Sequence, residues 1–181
     1  SPLVWQGSSS SLWDNAVTQN WTNSLGAPEY FFVGDAVTFN DTALTFNVTN
    51  VGTLAPSSVT VNSASNYVIA GSGKISGATG ITKSGSGTLT VSSVNDFTGI
   101  VTVNDGIFKL GNASACGDTN FPTVVNSGGT FDLGGIAFNS KDNLTIAGAG
   151  LSSTGAVINT GAGEILTGTV AVRFVVNIAV V

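Results

Sequence analysis

The chain has 181 residues, with five Lys or Arg against ten Asp or Glu, a formal charge of −5, and charged side chains at only 8%. So sparse and scattered a cationic set gives no basic stripe to neutralise phosphates, which excludes a conventional nucleic-acid binder, and 42% hydrophobic residues are too many for a disordered chain. His is absent, which removes Ser-His-Asp and Cys-His catalysis and the commonest transition-metal ligand.

Val, Ile and Thr supply 54 of the residues, while Glu and Lys, the material of exposed helices, are scarce. Branched side chains favour pleated, half-buried strands, so the class is all-β, and the length suits one substantial core. The 24 glycines follow no three-residue period, which excludes collagen and makes them turn punctuation. Cys116 stands alone, so no internal disulfide forms, and it reads as a small hydrophobe in a turn.

Residues 1–50 hold Trp5, Trp13 and Trp21 together with Tyr30, Phe31, Phe32, Phe39 and Phe46. The eight-residue tryptophan spacing fits neither a helix nor one strand, so each Trp belongs to its own short segment. Ser1-Pro2-Leu3 shows no basic or apolar leader and the chain holds no Met, so a processed or excised segment is expected, its export signal already removed.

Residues 51–168 contain degenerate repeats. Val59-Thr60-Val61-Asn62, Val101-Thr102-Val103-Asn104 and Thr123-Val124-Val125-Asn126 are near copies, and Asn104 to Asn126 is 22 residues, about one coil of a β-helix. A second element recurs as Leu44-Thr45-Phe46, Leu89-Thr90-Val91 and Leu144-Thr145-Ile146. Asp105-Gly106, Ser127-Gly128 and Thr160-Gly161 are expected at equivalent turns. Alternation puts Val101, Val103 and Ile107 on one inward face. Gly71-Ser-Gly73 and Gly85-Ser-Gly87 open no helix and lack the Lys-Ser/Thr of a phosphate loop, so they read as corners.

The segment Gly80-Ile-Thr-Lys83-Ser-Gly85-Ser-Gly87-Thr88-Leu89-Thr90-Val91, then Asn95-Asp96-Phe97-Thr98-Gly99, then Asn104-Asp105-Gly106-Ile107-Phe108-Lys109-Leu110-Gly111-Asn112 resembles the autotransporter-associated (passenger-associated) β-strand repeat of secreted bacterial surface proteins. It departs from that pattern at Phe97, usually Tyr, and at Ile100, usually Gly. The resemblance implies an extracellular β-solenoid with a structural role. It also suggests that residues 1–50 are an N-terminal cap, because Trp-containing segments often precede such repeats. A stack of coils needs one, since its first coil exposes an apolar cross-section and unpaired strand edges.

Residues 169–181 form the last zone. Val170, Val172, Phe174, Val176, Ile178 and Val180 make one uninterrupted apolar face, and as a single strand the segment would span roughly 43 Å. Such a face must be buried: folded back on its own solenoid, donated to a neighbouring subunit, or as one strand of a membrane barrel. The last lacks companion strands, and no membrane insertion is expected.

Chemistry is thin. The carboxylates show no glycosidase or calcium-loop spacing; Asp105 and Asp132 come nearest to stacked acids and read as exposed loop residues. Lys74, Lys83, Lys109, Lys141 and Arg173 are too dispersed for a polysaccharide lyase. Trp5, Trp13 and Trp21 are expected to pack in the cap or, alternatively, to stack on sugar rings. Asn20, Asn40, Asn47, Asn112 and Asn143 begin glycosylation sequons at the frequency chance gives.

The expectation is therefore a secreted, non-enzymatic, right-handed parallel β-helix or related solenoid with no cofactor. Its partner is itself, joined end to end into a filament or surface layer through its C-terminal strand. The rival is a passenger or adhesin stalk that binds a host surface or a cell-surface or matrix polysaccharide.

Overall fold

The computed structural model describes residues 1–163 and 166–173, the side chains of 139–143 and 166–173 excepted. In chain order the strands are β1 (Pro2–Trp5), β2 (Leu12–Trp13), β3 (Trp21–Thr22), β4 (Pro28–Glu29), β5 (Ala36–Phe39), β6 (Asn47–Asn50), β7 (Thr53–Leu54), β8 (Ser58–Asn62), β9 (Tyr67–Gly71) and β10 (Lys74–Ile75). They continue as β11 (Ile81–Ser84), β12 (Thr88–Val91), β13 (Val101–Val103), β14 (Gly106–Leu110), β15 (Thr123–Val125), β16 (Gly129–Asp132), β17 (Phe138–Ala147), β18 (Val157–Ile158) and β19 (Leu166–Arg173). Helix among the described residues is one 3-10 turn, Leu151–Ser153.

From β5 onward consecutive strands do not pair with each other but turn from one ladder to the next. One sheet runs β19-β17-β15-β13-β11-β8-β5-β1-β3-β4, a second β18-β16-β14-β12-β9-β6-β2, and β7 and β10 form a short third face. All pairs are parallel except β1 with β3 and β3 with β4. Strands that meet their sheet partners only after a full circuit define a β-solenoid, in which each coil borrows its core and its backbone partners from the coils on either side.

The repeats now have a register. Val59 pairs with Ile81, Ile81 with Val101 and Val101 with Thr123, while Val61, Lys83, Val103 and Val125 stack beside them. Successive partners thus lie 22, 20 and 22 residues apart. The three near copies stand in one ladder, with Ile81-Thr82-Lys83-Ser84 as a fourth rung that its sequence disguises. In β8, β11 and β13 a Thr points outward between two inward residues, and Val59, Ile81, Val101, Val61 and Val103 are all buried. Full burial of such a side chain contributes roughly 1.5–3 kcal/mol.

Three expectations are corrected. Leu44-Thr45-Phe46 is not a strand, and Leu44 is exposed. Leu89-Thr90-Val91 lies in the second ladder and Leu144-Thr145-Ile146 in the first, so these triplets are not one element. An inward-outward-inward triplet is what every rung requires, and its sequence does not say which ladder it joins. Thr160-Gly161 follows β18, whereas Asp105-Gly106 and Ser127-Gly128 both connect the first ladder to the second. Finally, Ile107 faces outward and Phe108 and Leu110 inward. The bend from Val103 to Phe108 spans five residues where that between their partners in register, Lys83 to Leu89, spans six, and the missing residue reverses the inward parity that Val101 and Val103 set.

Corners stack as closely as strands. A Cβ on Gly87 would lie 2.3 Å from the Ser65 carbonyl oxygen, and one on Gly85 2.6 Å from the Ser63 backbone, so only glycine lets neighbouring coils approach here.

At the N-terminal end the core turns aromatic. Trp21 lies 5.0 Å from Trp5, 5.5 Å from Trp13 and 5.4 Å from Phe39 between ring centroids, with mostly edge-on geometry, and Phe39 leads on to Tyr67 at 5.6 Å. Edge-to-face packing suits the ring quadrupoles and adds to the large area these rings bury. In the later coils Phe108 and Phe131 stack at 5.8 Å, and Phe138 meets Phe131 at 5.0 Å.

Candidate functional site

A stack of parallel strands has two ends, and each leaves ladder N–H and C=O groups without partners unless something covers them. The two ends of this chain differ. At the first, β3 turns back antiparallel on β1, with Val4 opposite Thr22 and Trp5 opposite Trp21, and β4 returns along β3. Asn23 fixes the turn of this hairpin: its Oδ1 accepts from the N–H groups of Leu25 (3.0 Å) and Ala27 (3.1 Å), and its Nδ2 donates to Glu29 Oε1 (3.0 Å). Pro28 at the outer strand withholds an N–H from any further pairing.

Because β3 reaches only as far as Thr22, the Pro2–Leu3 part of β1 is paired by β5 on one side and not by β3 on the other. A cleft of about 350 Å³ opens there, lined by Leu3, Leu25, Glu29, Tyr30, Phe32 and Asp35 among others. Leu25 is 91% exposed and Phe32 51%. Both are held out by ordered backbone, Leu25 by Asn23 and Phe32 by Asp35 Oδ2, which accepts its N–H at 2.8 Å.

At the other end β19 adds parallel to β17 of the same chain, pairing Phe138–Ser140 with Leu166–Gly168 and, after a break in register, Leu144–Ala147 with Val170–Arg173. Among the described residues β19 and β18 are the outermost strands of their ladders, with no hairpin laid across them. Of the proposed subunit contacts, Val170 stands opposite Leu144 and Val172 opposite Ile146; Phe174, Val176, Ile178 and Val180 lie outside the described residues.

Trp5, Trp13 and Trp21 are essentially unexposed, and their ring faces are taken by one another, Phe31 and Phe39. No face is left on which a sugar could stack. Trp5 Nε1 donates to the Thr45 carbonyl at 2.9 Å, whereas Trp13 Nε1 and Trp21 Nε1 are buried without a partner. Asn20 is likewise buried, its Oδ1 accepting from Ser9 and Ser10 and its Nδ2 donating to the Leu12 carbonyl, so it is no glycan acceptor in the folded chain. Cys116 is half-buried and packs against the core.

Sequence reasoning missed the charged groups that lock coils together. Lys83 takes an inward position at 1% exposure. Its Nζ donates to the carbonyls of Ser84 (2.9 Å), Gly85 (2.6 Å) and, one coil on, Asp105 (3.2 Å). Burial pulls this ammonium down to about 8, against the opposing pull of the Asp105 carboxylate. Asp132, expected exposed, is buried on β16 in register with Lys109, not with Asp105, so the two acids do not stack. Burial pushes the Asp132 carboxyl up, but hydrogen bonds from Thr160 Oγ1 (2.6 Å), Thr160 N (2.9 Å) and Gly134 N (2.9 Å), with the Lys109 ammonium 3.5 Å away, outweigh it and hold the group below the usual carboxylate range. Outside the core, Asn126 Nδ2 donates to Asn104 Oδ1 at 2.8 Å and Asn104 Nδ2 to Ser84 Oγ at 3.3 Å, a side-chain ladder beside the backbone one.

Residues 81–110, from the start of β11 to the end of β14, match the model of the passenger-associated-transport-repeat family. They comprise one complete coil and its return, and they include Lys83 and the reversal at Gly106. No curated protein and no solved structure matches the chain. The repeat and the solenoid together fit an autotransporter passenger-like domain.

Proposed function

We propose that this chain is a structural subunit of an extracellular filament or surface layer, non-enzymatic, joined end to end through its C-terminal strand. The observation that carries the reading is the inequality of the two ends: the first rung is overlaid by an antiparallel hairpin, while among the described residues no strand is laid across β19. A contact between unlike ends of the same molecule does not close, and repetition of it generates fibres. The passenger-type repeat supports a cell-surface or extracellular setting. A joint made of ladder hydrogen bonds and a Val, Phe and Ile face would hold in high salt.

Electron microscopy of the purified chain tests this directly, with filaments expected. Deletion of residues 169–181 should leave monomers. Filaments that persist after the deletion would remove strand donation as the joint, and a wild-type chain that stays monomeric at high concentration would leave a single passenger stalk as the better description.

A further inference from the structure

We infer that Asp105–Gly106 is a site of self-modification, at which the folded chain converts the Asp105 linkage to an isoaspartyl one whose freed α-carboxylate pairs with Lys83. The two residues lie in the bend from β13 into β14, Asp105 half-buried and Gly106 buried. Gly106 N donates to Asp105 Oδ1 at 2.8 Å, so the amide nitrogen that closes a five-membered ring on Cγ already rests beside that carboxyl. From the preceding coil, Lys83 Nζ donates to the Asp105 carbonyl at 3.2 Å. Only glycine permits this approach: a Cβ on residue 106 would lie 2.6 Å from Lys83 Nζ and 2.3 Å from the Gly85 carbonyl oxygen.

The change takes two steps and no reagent but water. Gly106 N first bonds to Cγ of the protonated Asp105 carboxyl, whose hydroxyl leaves with the amide proton as water, and a cyclic imide results. Water then adds to the α-carbonyl carbon and the bond from that carbon to Gly106 N breaks. The nitrogen takes a proton and keeps its bond to Cγ, and the freed α-carboxyl ionises to solvent. Lys83 directs the second step, because an ammonium on the α-carbonyl oxygen stabilises charge developing there and not at Cγ. Two features favour the product. Lys83 is buried with its Nζ on the carbonyls of Ser84, Gly85 and Asp105, and the new carboxylate gives that ammonium a counter-ion at the place of the third. The main chain also gains one carbon in a bend that spans five residues, Val103 to Phe108, where Val61 to Tyr67, Lys83 to Leu89 and Val125 to Phe131 in register with it each span six.

The test is ageing of the folded wild-type chain in water enriched in heavy oxygen, followed by digestion and electron-transfer fragmentation of the peptide that carries residue 105, which distinguishes the two linkages. Labelled isoaspartate should accumulate about tenfold faster than in the same chain unfolded in guanidinium chloride. It should also exceed labelled aspartate by more in the folded chain than in the unfolded one, the mark of direction by Lys83. Lys83→Met, checked for its fold by circular dichroism, should bring both the rate and that ratio back to the unfolded values. A residue 105 that stays unlabelled and α-linked, or that isomerises no faster folded than unfolded, overturns the site without recourse to a variant. An equal ratio in the folded and unfolded wild type, or a folded Lys83→Met chain that matches the wild type, overturns the part assigned to Lys83.

Discussion

Lys83 occupies an inward position that its partners in register, Val61 and Val103, give to valine. Its folded-state pKa, about 8, lies below the ~10.4 of an unfolded lysine, so between these values the unfolded chain binds more protons and stability rises with pH. Urea denaturation should show that rise from pH 8 to 10, at most about 1.4 kcal/mol per pH unit, and Lys83→Met should lack it. Asp132 gives the same sign in an acid window. Its lowered pKa gives stability that is present above ~4 and lost as the pH falls through the folded value, so Asp132→Asn should cost about 2–3 kcal/mol at pH 7 and progressively less below pH 4. Neither residue was legible in advance. Ile-Thr-Lys and Phe-Asp read as ordinary strand and loop polarity, and what makes them special, the Asp105 carbonyl that joins those of Ser84 and Gly85 around Nζ and a threonine 28 residues onward from Asp132, exists only once coils are stacked.

At the level of the strand the alternation of β-branched residues with Thr was readable because each rung needs the same face inward, and its 22-residue recurrence was visible in the asparagines that close the rungs. Parity across a bend was not readable. Continuing the alternation from Val103 placed Ile107 inside, but the bend to Phe108 is one residue shorter than the bend from Lys83 to Leu89 that it stacks on, and the phase shifts by one. The consequence is measurable: Phe108→Ala should cost about 3–5 kcal/mol by thermal or urea denaturation, whereas Ile107→Ala should cost under about 1 kcal/mol. The hairpin β3–β4 and the strand β2 carried no periodic signal, because two residues are too few to show a period.

Across the whole molecule, stability is distributed along the axis by contacts between neighbouring coils. A large aromatic substitution at the N-terminal end, Trp21→Ala, should cost about 3–5 kcal/mol, and hydrogen exchange should show the greatest loss of protection in β1, β3 and β5 and the least in β14 and β16. The solenoid as a class was legible from composition, glycine punctuation and the passenger-type repeat at 81–110. The cleft at the N-terminal end was not, because its exposed residues, Leu25, Tyr30 and Phe32, sit in irregular segments that read as part of an aromatic-rich zone.

Every parallel ladder bond in the two sheets runs from one coil to the next, so tension between the chain termini pulls the bonds open one rung at a time instead of shearing them all at once. Drawn out by an optical trap, the molecule should pay out slack in increments on the order of 70 Å, the contour of one 20- to 22-residue circuit, each at low force and each recoverable on release. Anchored at a cell surface, such a protein would yield to drag and rewind, a shock absorber more than a rod.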